Sequence, residues 1–430
     1  MDSAVTPTTK SLLDRRDAVL GPNMSTFYED PVHLVKGAGV WLWDADGKKY
    51  LDCYNNVPHV GHCHPHVVDA IAKQAATLNT HTRYLHEGIL DYTERLTATF
   101  DDPLNTALLC CTGSEANDVA LRMAEAVTGK TGIIATDHTY HGNTSTVSQL
   151  STTNTPKLGQ SNHIRFVPTP DSYRPASNDP AQFFADQVSA KIAELQASEH
   201  GFAALILCPF FGNEGFPDLP AGFLDATLKA VHAAGGILIA DEVQPGFGRL
   251  GSHFWGHQFQ GITPDVVTLG KPMGNGHPVA GVVTSADIMH EFRTAFRYFN
   301  TFGGNPVSCA AAMAVMDVIE SEGLMTRAAD VGAYAKDAMQ SLANKHEIIG
   351  DVRGKGMFFG AELVTDRATK TPATDYILRV IEELRNRGIL LNKIGVHYNT
   401  LKIRPNLQFN RENTDQLIET LDAVLTDIQP

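Results

Sequence analysis

The sequence predicts an α/β protein built on a mostly parallel sheet with helices on both faces, and three observations carry that expectation. Short apolar runs alternate with helical stretches through the middle of the chain. One run, Gly236-Ile237-Leu238-Ile239-Ala240, ends on Asp241, as a buried parallel strand does when it delivers a side chain to the C-terminal edge of its sheet. A third segment has the order strand, Gly113-Ser114, helix, which places free backbone N–H groups at a helix start. At 430 residues and 43% hydrophobic, the chain is long enough to bury a large core and hold two subdomains in one unit.

Taken in order, the first ten residues are polar and expected to be mobile. Residues 1–64 are assigned to a smaller α+β domain. The cluster His62-Cys63-His64-Pro65-His66 offers ligand-type side chains, but no matching group occurs elsewhere. Pro65 there marks entry to a helix from Val67 to Leu78, so no metal site is predicted. Thr106 to Thr112 reads as a strand, Gly113 as a turn and Ser114 to Ala124 as a helix with apolar residues at helical spacing. Such a helix start binds anions, and Ser114 would add a hydroxyl, although serine is also a common helix cap. Further strands are expected at Gly132 to Thr136, His163 to Val167, Ala203 to Leu207, Gly236 to Asp241, Val266 to Leu269 and Val279 to Thr284. Residues 65–313 would form the large domain and 314–430 complete the small one. Within the latter, Val352 to Gly360 reads as a glycine-bounded strand and not a dinucleotide loop, because no helix follows it.

The formal charge of −14 lacks the basic footprint of a nucleic-acid binder. The start Met1-Asp2-Ser3 is polar and no stretch of twenty apolar residues occurs, so neither secretion nor a membrane is predicted and a cytoplasmic location is expected. Cys53, Cys63, Cys110, Cys111, Cys208 and Cys309 have no spacing of a disulfide framework and read as reduced thiols.

Two segments then point to chemistry. Asp241 lies in Ile239-Ala240-Asp241-Glu242-Val243-Gln244, and Lys271 follows in Leu269-Gly270-Lys271-Pro272-Met273-Gly274. An aldehyde-bearing pyridine needs an amine to hold it covalently and a carboxylate to keep its ring nitrogen protonated. Alone, the acid reads equally as a cap and the lysine as a surface residue. Together with the anion site at Gly113-Ser114 they specify pyridoxal 5'-phosphate (PLP).

From about Asp30 to the last helix these segments resemble the class III aminotransferases of PLP fold type I. The resemblance implies Lys271 as the Schiff-base lysine, Asp241 on the pyridine nitrogen, Gln244 near the phenolic oxygen and Val243 against one ring face. Tyr140 in Thr139-Tyr140-His141-Gly142 matches the aromatic residue on the other face, with His141 also in the cofactor set. Gly113 and Ser114 match the phosphate loop. Thr301 in Asn300-Thr301-Phe302-Gly303 matches the threonine that reaches the neighbouring subunit's phosphate, which implies a homodimer with shared sites. Whether dimers pair into tetramers stays open.

In transaminases of this class a Glu-Pro pair, after the strand matching Ala203 to Leu207, gates an arginine near the C-terminus. Here the pair is Cys208-Pro209, and Arg404 in Lys402-Ile403-Arg404-Pro405 stands without that gate, unless another carboxylate such as Glu214 takes the role. The stretches Leu51 to Pro65, Gly270 to Pro278 and Tyr298 to Cys309, with Thr82-Arg83-Tyr84, look like the ethanolamine-phosphate phospho-lyase branch of the family. That likeness implies β-elimination of phosphate from a small phosphorylated amine, with Asn55, Arg83 and Arg404 as candidates to hold the substrate. The alternative is an ω-amino-acid or amine:pyruvate transaminase using the same Lys271.

Overall fold

The computed structural model describes residues 9–154 and 159–429. Strands β1 (Leu34–Ala38), β2 (Trp41–Asp44) and β3 (Lys49–Asp52) form an antiparallel meander. The middle of the chain supplies β4 (Thr106–Cys110), β5 (Ile133–Thr136), β6 (Ile164–Val167), β7 (Ala204–Leu207), β8 (Ile237–Asp241), β9 (Val266–Leu269) and β10 (Ala280–Thr284). The last third supplies β11 (Ile349–Lys355), β12 (Phe358–Asp366), β13 (Thr371–Pro372), β14 (Ile389–Leu390), β15 (Asn392–Ile394) and β16 (Thr400–Ile403).

The central sheet has the order β4-β10-β9-β8-β7-β5-β6 and is parallel except at β10, which runs against both neighbours. The connection from β9 to β10, residues 270–279, is shorter than the dozen or so residues a parallel crossover needs. Because β10 opposes β4 as well as β9, the C-terminal ends of β4, β8 and β9 open at one edge. Every residue of β5, β7, β8, β9 and β10 is buried, which is why these strands read as unbroken apolar runs instead of alternating ones. Successive residues face different layers: Ile133 and Ala135 pack with helix Gly113–Thr128, and Ile134 packs with helix Pro180–Gln196.

Thr112 leaves the β4 path to cap the following helix, accepting from the Glu115 N–H while the Glu115 side chain returns to the Thr112 N–H. The strand is therefore shorter than expected and the helix starts one residue earlier. Pro65 is the first residue of helix Pro65–Thr77.

The two ends of the chain meet at β3 and β14, paired in parallel with Leu51 opposite Ile389. The expected division at 313/314 falls inside the unbroken helix Pro306–Ser321, so no linker separates the two parts there. Val352 to Gly360 is not one strand but the turn of an antiparallel hairpin, β11 and β12, with Gly356 at φ +56° between them. The expectation of a mobile start falls on residues outside those described, apart from Thr9 and Lys10, which open helix Thr9–Leu20. Among the described residues no helix is long and apolar enough to cross a membrane, and all six cysteines are free thiols.

Candidate active site

Asp241 ends β8 and Glu242 follows it, the two pointing to opposite sides, and their roles differ accordingly. Glu242, fully buried, accepts from the Gly256 N–H at 2.8 Å and the His257 N–H at 2.6 Å, capping the short helix Gly256–Gln260. Asp241 faces the sheet edge. Its Oδ2 accepts from His141 Nδ1–H at 2.6 Å and from Asn117 Nδ2–H at 3.0 Å, and its Oδ1 accepts from the Val243 N–H at 3.0 Å. Burial alone would push this carboxyl up; the His141 hydrogen bond and charge, helped by Lys271, outweigh it and hold the group below the usual aspartate value. With Oδ2 saturated, the lone pair left for a pyridine N–H is on Oδ1.

His141 therefore acts on the acid and fixes its orientation. Asn117, which sequence reading missed, has the same task from the opposite side: its Oδ1 accepts from Thr268 Oγ1 at 2.7 Å, and its amide also reaches the His141 carbonyl at 2.7 Å. The available signal was a polar residue on the apolar face of helix Gly113–Thr128.

Lys271 opens a 3₁₀ turn directly after β9. Burial disfavours its ammonium, Asp241 partly restores it and Arg404 opposes it again, leaving the amine below the ordinary lysine value. A cavity of about 200 Å³ is lined by Lys271, Asp241, Val243, Gln244, Tyr140, His141, Gly113 and Ser114, together with Thr139, Gly142, Cys208, Asn213 and Glu214. One structure thus gathers residues from segments 113–114, 139–142, 208–214, 241–244 and 271. A Cβ on Gly113 would come within 3.1 Å of Val243 Cγ2, so the turn and the Val243 wall meet more closely than a side chain at residue 113 would allow without a small shift of Val243.

These groups fit PLP. The N–H groups of Gly113 and Ser114 precede the capped Glu115 and have no protein acceptor among the described residues, an anion-binding helix start. The Ser114 hydroxyl is engaged otherwise than expected, donating to Asn143 Oδ1 and accepting from the Asn143 N–H, both at 3.1 Å. It thereby fastens the Gly142-Asn143 turn to the phosphate loop. Gly142 has φ +143°, and a Cβ there would lie 2.4 Å from Ser114 Oγ. Gly142→Ala is expected to destabilise the protein by about 1–3 kcal/mol and to weaken PLP binding, measurable by thermal unfolding and cofactor titration.

A second cavity of about 290 Å³ shares Lys271, Tyr140, Thr139, Asn213 and Gln244 with the first and adds Tyr54, His138, Thr153, Ile394, Gly395, Tyr398, Lys402 and Arg404. Lys402 and Arg404 are two residues apart along the β16 path and enter the same side, both buried. Arg404 donates to Gln244 Oε1 and to the Tyr54 carbonyl at 3.3 Å, with its guanidinium 5.2 Å from the Tyr54 ring centre. Lys402 Nζ donates to Asn213 Oδ1 at 3.0 Å and Gln244 Oε1 at 3.2 Å. Gln244 Nε2 in turn donates to Asn213 Oδ1 at 3.1 Å. The partners of both cations are neutral oxygens. Glu214 does not gate Arg404; its carboxyl accepts from Thr136 Oγ1 at 2.7 Å and the Asn213 N–H at 3.0 Å, and burial pushes it above the usual glutamate value.

The other substrate candidates lie elsewhere. Asn55 turns its amide onto the two oxygens of buried Asp52, at 3.1 and 3.0 Å, so the residue of that turn lining the cavity is Tyr54. Arg83 is exposed, its guanidinium 3.8 Å from the ring centre of Phe299, and it lines neither cavity. Thr301, also exposed, lines neither. The histidines of the 62–66 cluster are divided among carboxylates: His62 with Asp52 at 2.6 Å, His64 with Glu322 at 2.9 Å and His66 with Asp317 at 3.0 Å.

A lysine and a paired acid at one sheet edge, above an anion-binding helix start, define a PLP enzyme, and comparison gives the family. The aminotransferase class-III model matches residues 25–425, and the chain belongs to that family. PLP is accordingly its cofactor. The chain is 41% identical to an alanine–glyoxylate aminotransferase 2-like protein of Drosophila melanogaster, over 95% of this chain and 86% of that one. It is 38% identical to ethanolamine-phosphate phospho-lyase homolog 1 of Caenorhabditis elegans, over 97% and 93%. Among solved structures, a phospholyase from Arthrobacter in complex with phosphoethanolamine superposes with a TM-score of 0.94 at 44% identity, covering 97% of this chain and all of that one.

Proposed function

We propose that the protein is a phospho-lyase that eliminates phosphate from a small phosphorylated primary amine of the phosphoethanolamine type, giving an aldehyde, ammonia and inorganic phosphate. The observation that carries this reading is the pair Lys402 and Arg404, two buried basic side chains in one cavity with Lys271 and matched only by amide and carbonyl oxygens. An uncompensated buried cation is costly, and a phosphate group would supply the missing counter-charge. Burial lowers the Arg404 guanidinium to about 10, Tyr54 working against it, so it remains charged at neutral pH. The phosphoethanolamine complex of the Arthrobacter phospholyase and the phospho-lyase name of the C. elegans relative support the same substrate class.

PLP, when bound, supplies an electron sink for the carbon next to the substrate nitrogen. The chain does the rest. Asp241 stays ionised beside the ring nitrogen because His141, Asn117 and the Val243 N–H hold its oxygens. Lys271, whose ammonium is disfavoured by burial, takes the proton from that carbon. Lys402 and Arg404 would hold the phosphate on the neighbouring carbon, and Val243 and Tyr140, which line the cofactor cavity, would hold the ring. Thr301 and Arg83 are assigned to the neighbouring subunit's site in a homodimer, since both are exposed in one chain and line neither of its two cavities.

The second reading, an amine transaminase, is favoured by the alanine–glyoxylate aminotransferase relatives. One assay separates them. Inorganic phosphate released from phosphoethanolamine with no keto acid present is the expected result; alanine formed from pyruvate with no phosphate release would favour the transaminase.

A further inference from the structure

We propose that Lys402 is the proton donor to the departing phosphate, so that two buried lysines divide the elimination between them: Lys271 takes a proton from carbon and Lys402 delivers one to oxygen. The inference rests on the lyase reading above. In the net step the C–H bond breaks with its proton passing to Lys271, the C–H electron pair becomes the new C=C bond, and the C–O bond breaks with its pair leaving on oxygen. A phosphate ester dianion that leaves unassisted would depart as the phosphate trianion, too strong a base to be a leaving group at neutral pH. A proton must reach that oxygen, and the product is then hydrogen phosphate.

Lys402 has the geometry for it. An ammonium has three N–H donors, and two of them face Asn213 Oδ1 and Gln244 Oε1, which leaves one for a ligand in the cavity shared with Lys271. No carboxylate of the described residues lies within ion-pair distance of its Nζ, so no counter-charge holds the proton there. The groups that bear on it are Arg404 on its own strand path, Lys271 from the turn after β9, Cys208 and Glu214 from the segment after β7, and the Phe358 ring, centred 5.6 Å away on β12. In the site without substrate, burial and the charges of Arg404 and Lys271 disfavour its ammonium, against weaker opposition from Cys208 and Glu214; a phosphate dianion bound beside it would restore the charge, so Lys402 would hold its proton while the ester is intact and yield it readily to the departing oxygen. Arg404 in the same cavity cannot share the task, because a guanidinium keeps its proton.

The test compares two esters of ethanolamine, the phosphate and the sulfate, in holoenzyme carrying Lys402→Arg or Lys402→Met. Sulfate is a weak base and leaves without a proton. Removal of a proton donor should therefore lower kcat for the phosphate ester about 10²-fold more than kcat for the sulfate ester. Lys402→Arg keeps the charge, so inorganic phosphate, titrated calorimetrically into that variant, is expected to bind within a few-fold of wild type. An unchanged ratio of the two kcat values in Lys402→Arg overturns the assignment and leaves Lys402 as an anion ligand only. Equal loss of both activities together with phosphate binding overturns it in favour of a structural cation. Release of neither anion by the wild type sinks the lyase reading itself, and this role with it.

Discussion

Lys271→Ala is expected to abolish phosphate release from phosphoethanolamine, with a loss of at least about 10⁴-fold in kcat. Among the described residues no other amine lines the cofactor cavity, and Cys208, which does line it, is held as the neutral thiol by burial. Lys271→Arg is expected to be equally inactive, since its guanidinium would stay protonated beside Arg404. The check is phosphate release by each purified variant, with methylamine added to the alanine variant. Partial recovery by a small free amine marks a lost base, whereas a merely misfolded site would gain nothing. Wild-type turnover in the alanine variant would end the assignment.

The second large effect is at Asp241. Asp241→Asn should lower kcat by about 10³-fold, because a neutral amide cannot hold a pyridine nitrogen in its protonated form and electrostatic stabilisation of this kind is worth several kcal/mol. The substitution also places amide hydrogens against donors, since His141 Nδ1–H and Asn117 Nδ2–H both point at Oδ2. Stability should fall as well, and its pH dependence has a defined sign. A carboxyl held below its unfolded value stabilises the fold above the unfolded pKa of about 3.9 and loses that contribution as pH falls through the folded value. The difference in Tm between wild type and Asp241→Asn should accordingly be full at neutral pH and shrink in acid. A difference that grew on acidification would contradict an ionised Asp241.

Much of the cofactor site was legible because its parts are local. The apolar run before Asp241, the turn carrying Lys271 and the strand, Gly113-Ser114 and helix order each declare themselves within about ten residues, and each is an edge feature of the same kind of sheet. The substrate side was less so. Arg404 was legible by position, but Lys402 reads in isolation as a surface lysine, and Asn213 and Tyr54 as loop residues. The pattern Leu401-Lys402-Ile403-Arg404 did carry a signal, since alternation puts both cations on one face with the two apolar residues on the other. Asn55 shows the converse, a plausible donor in sequence that the fold turns toward Asp52.

The sequence by itself therefore determined the sheet, its C-terminal edge and the pairing of lysine with acid, because backbone periodicity and turn chemistry act between near neighbours. Only the tertiary structure decided which charges are left without a counter-ion. Burial and partner distance are properties of the packed environment: β16 comes from the far end of the chain, and Lys402 and Arg404 are buried with only neutral partners where it packs against Gln244 and Asn213 beside Lys271.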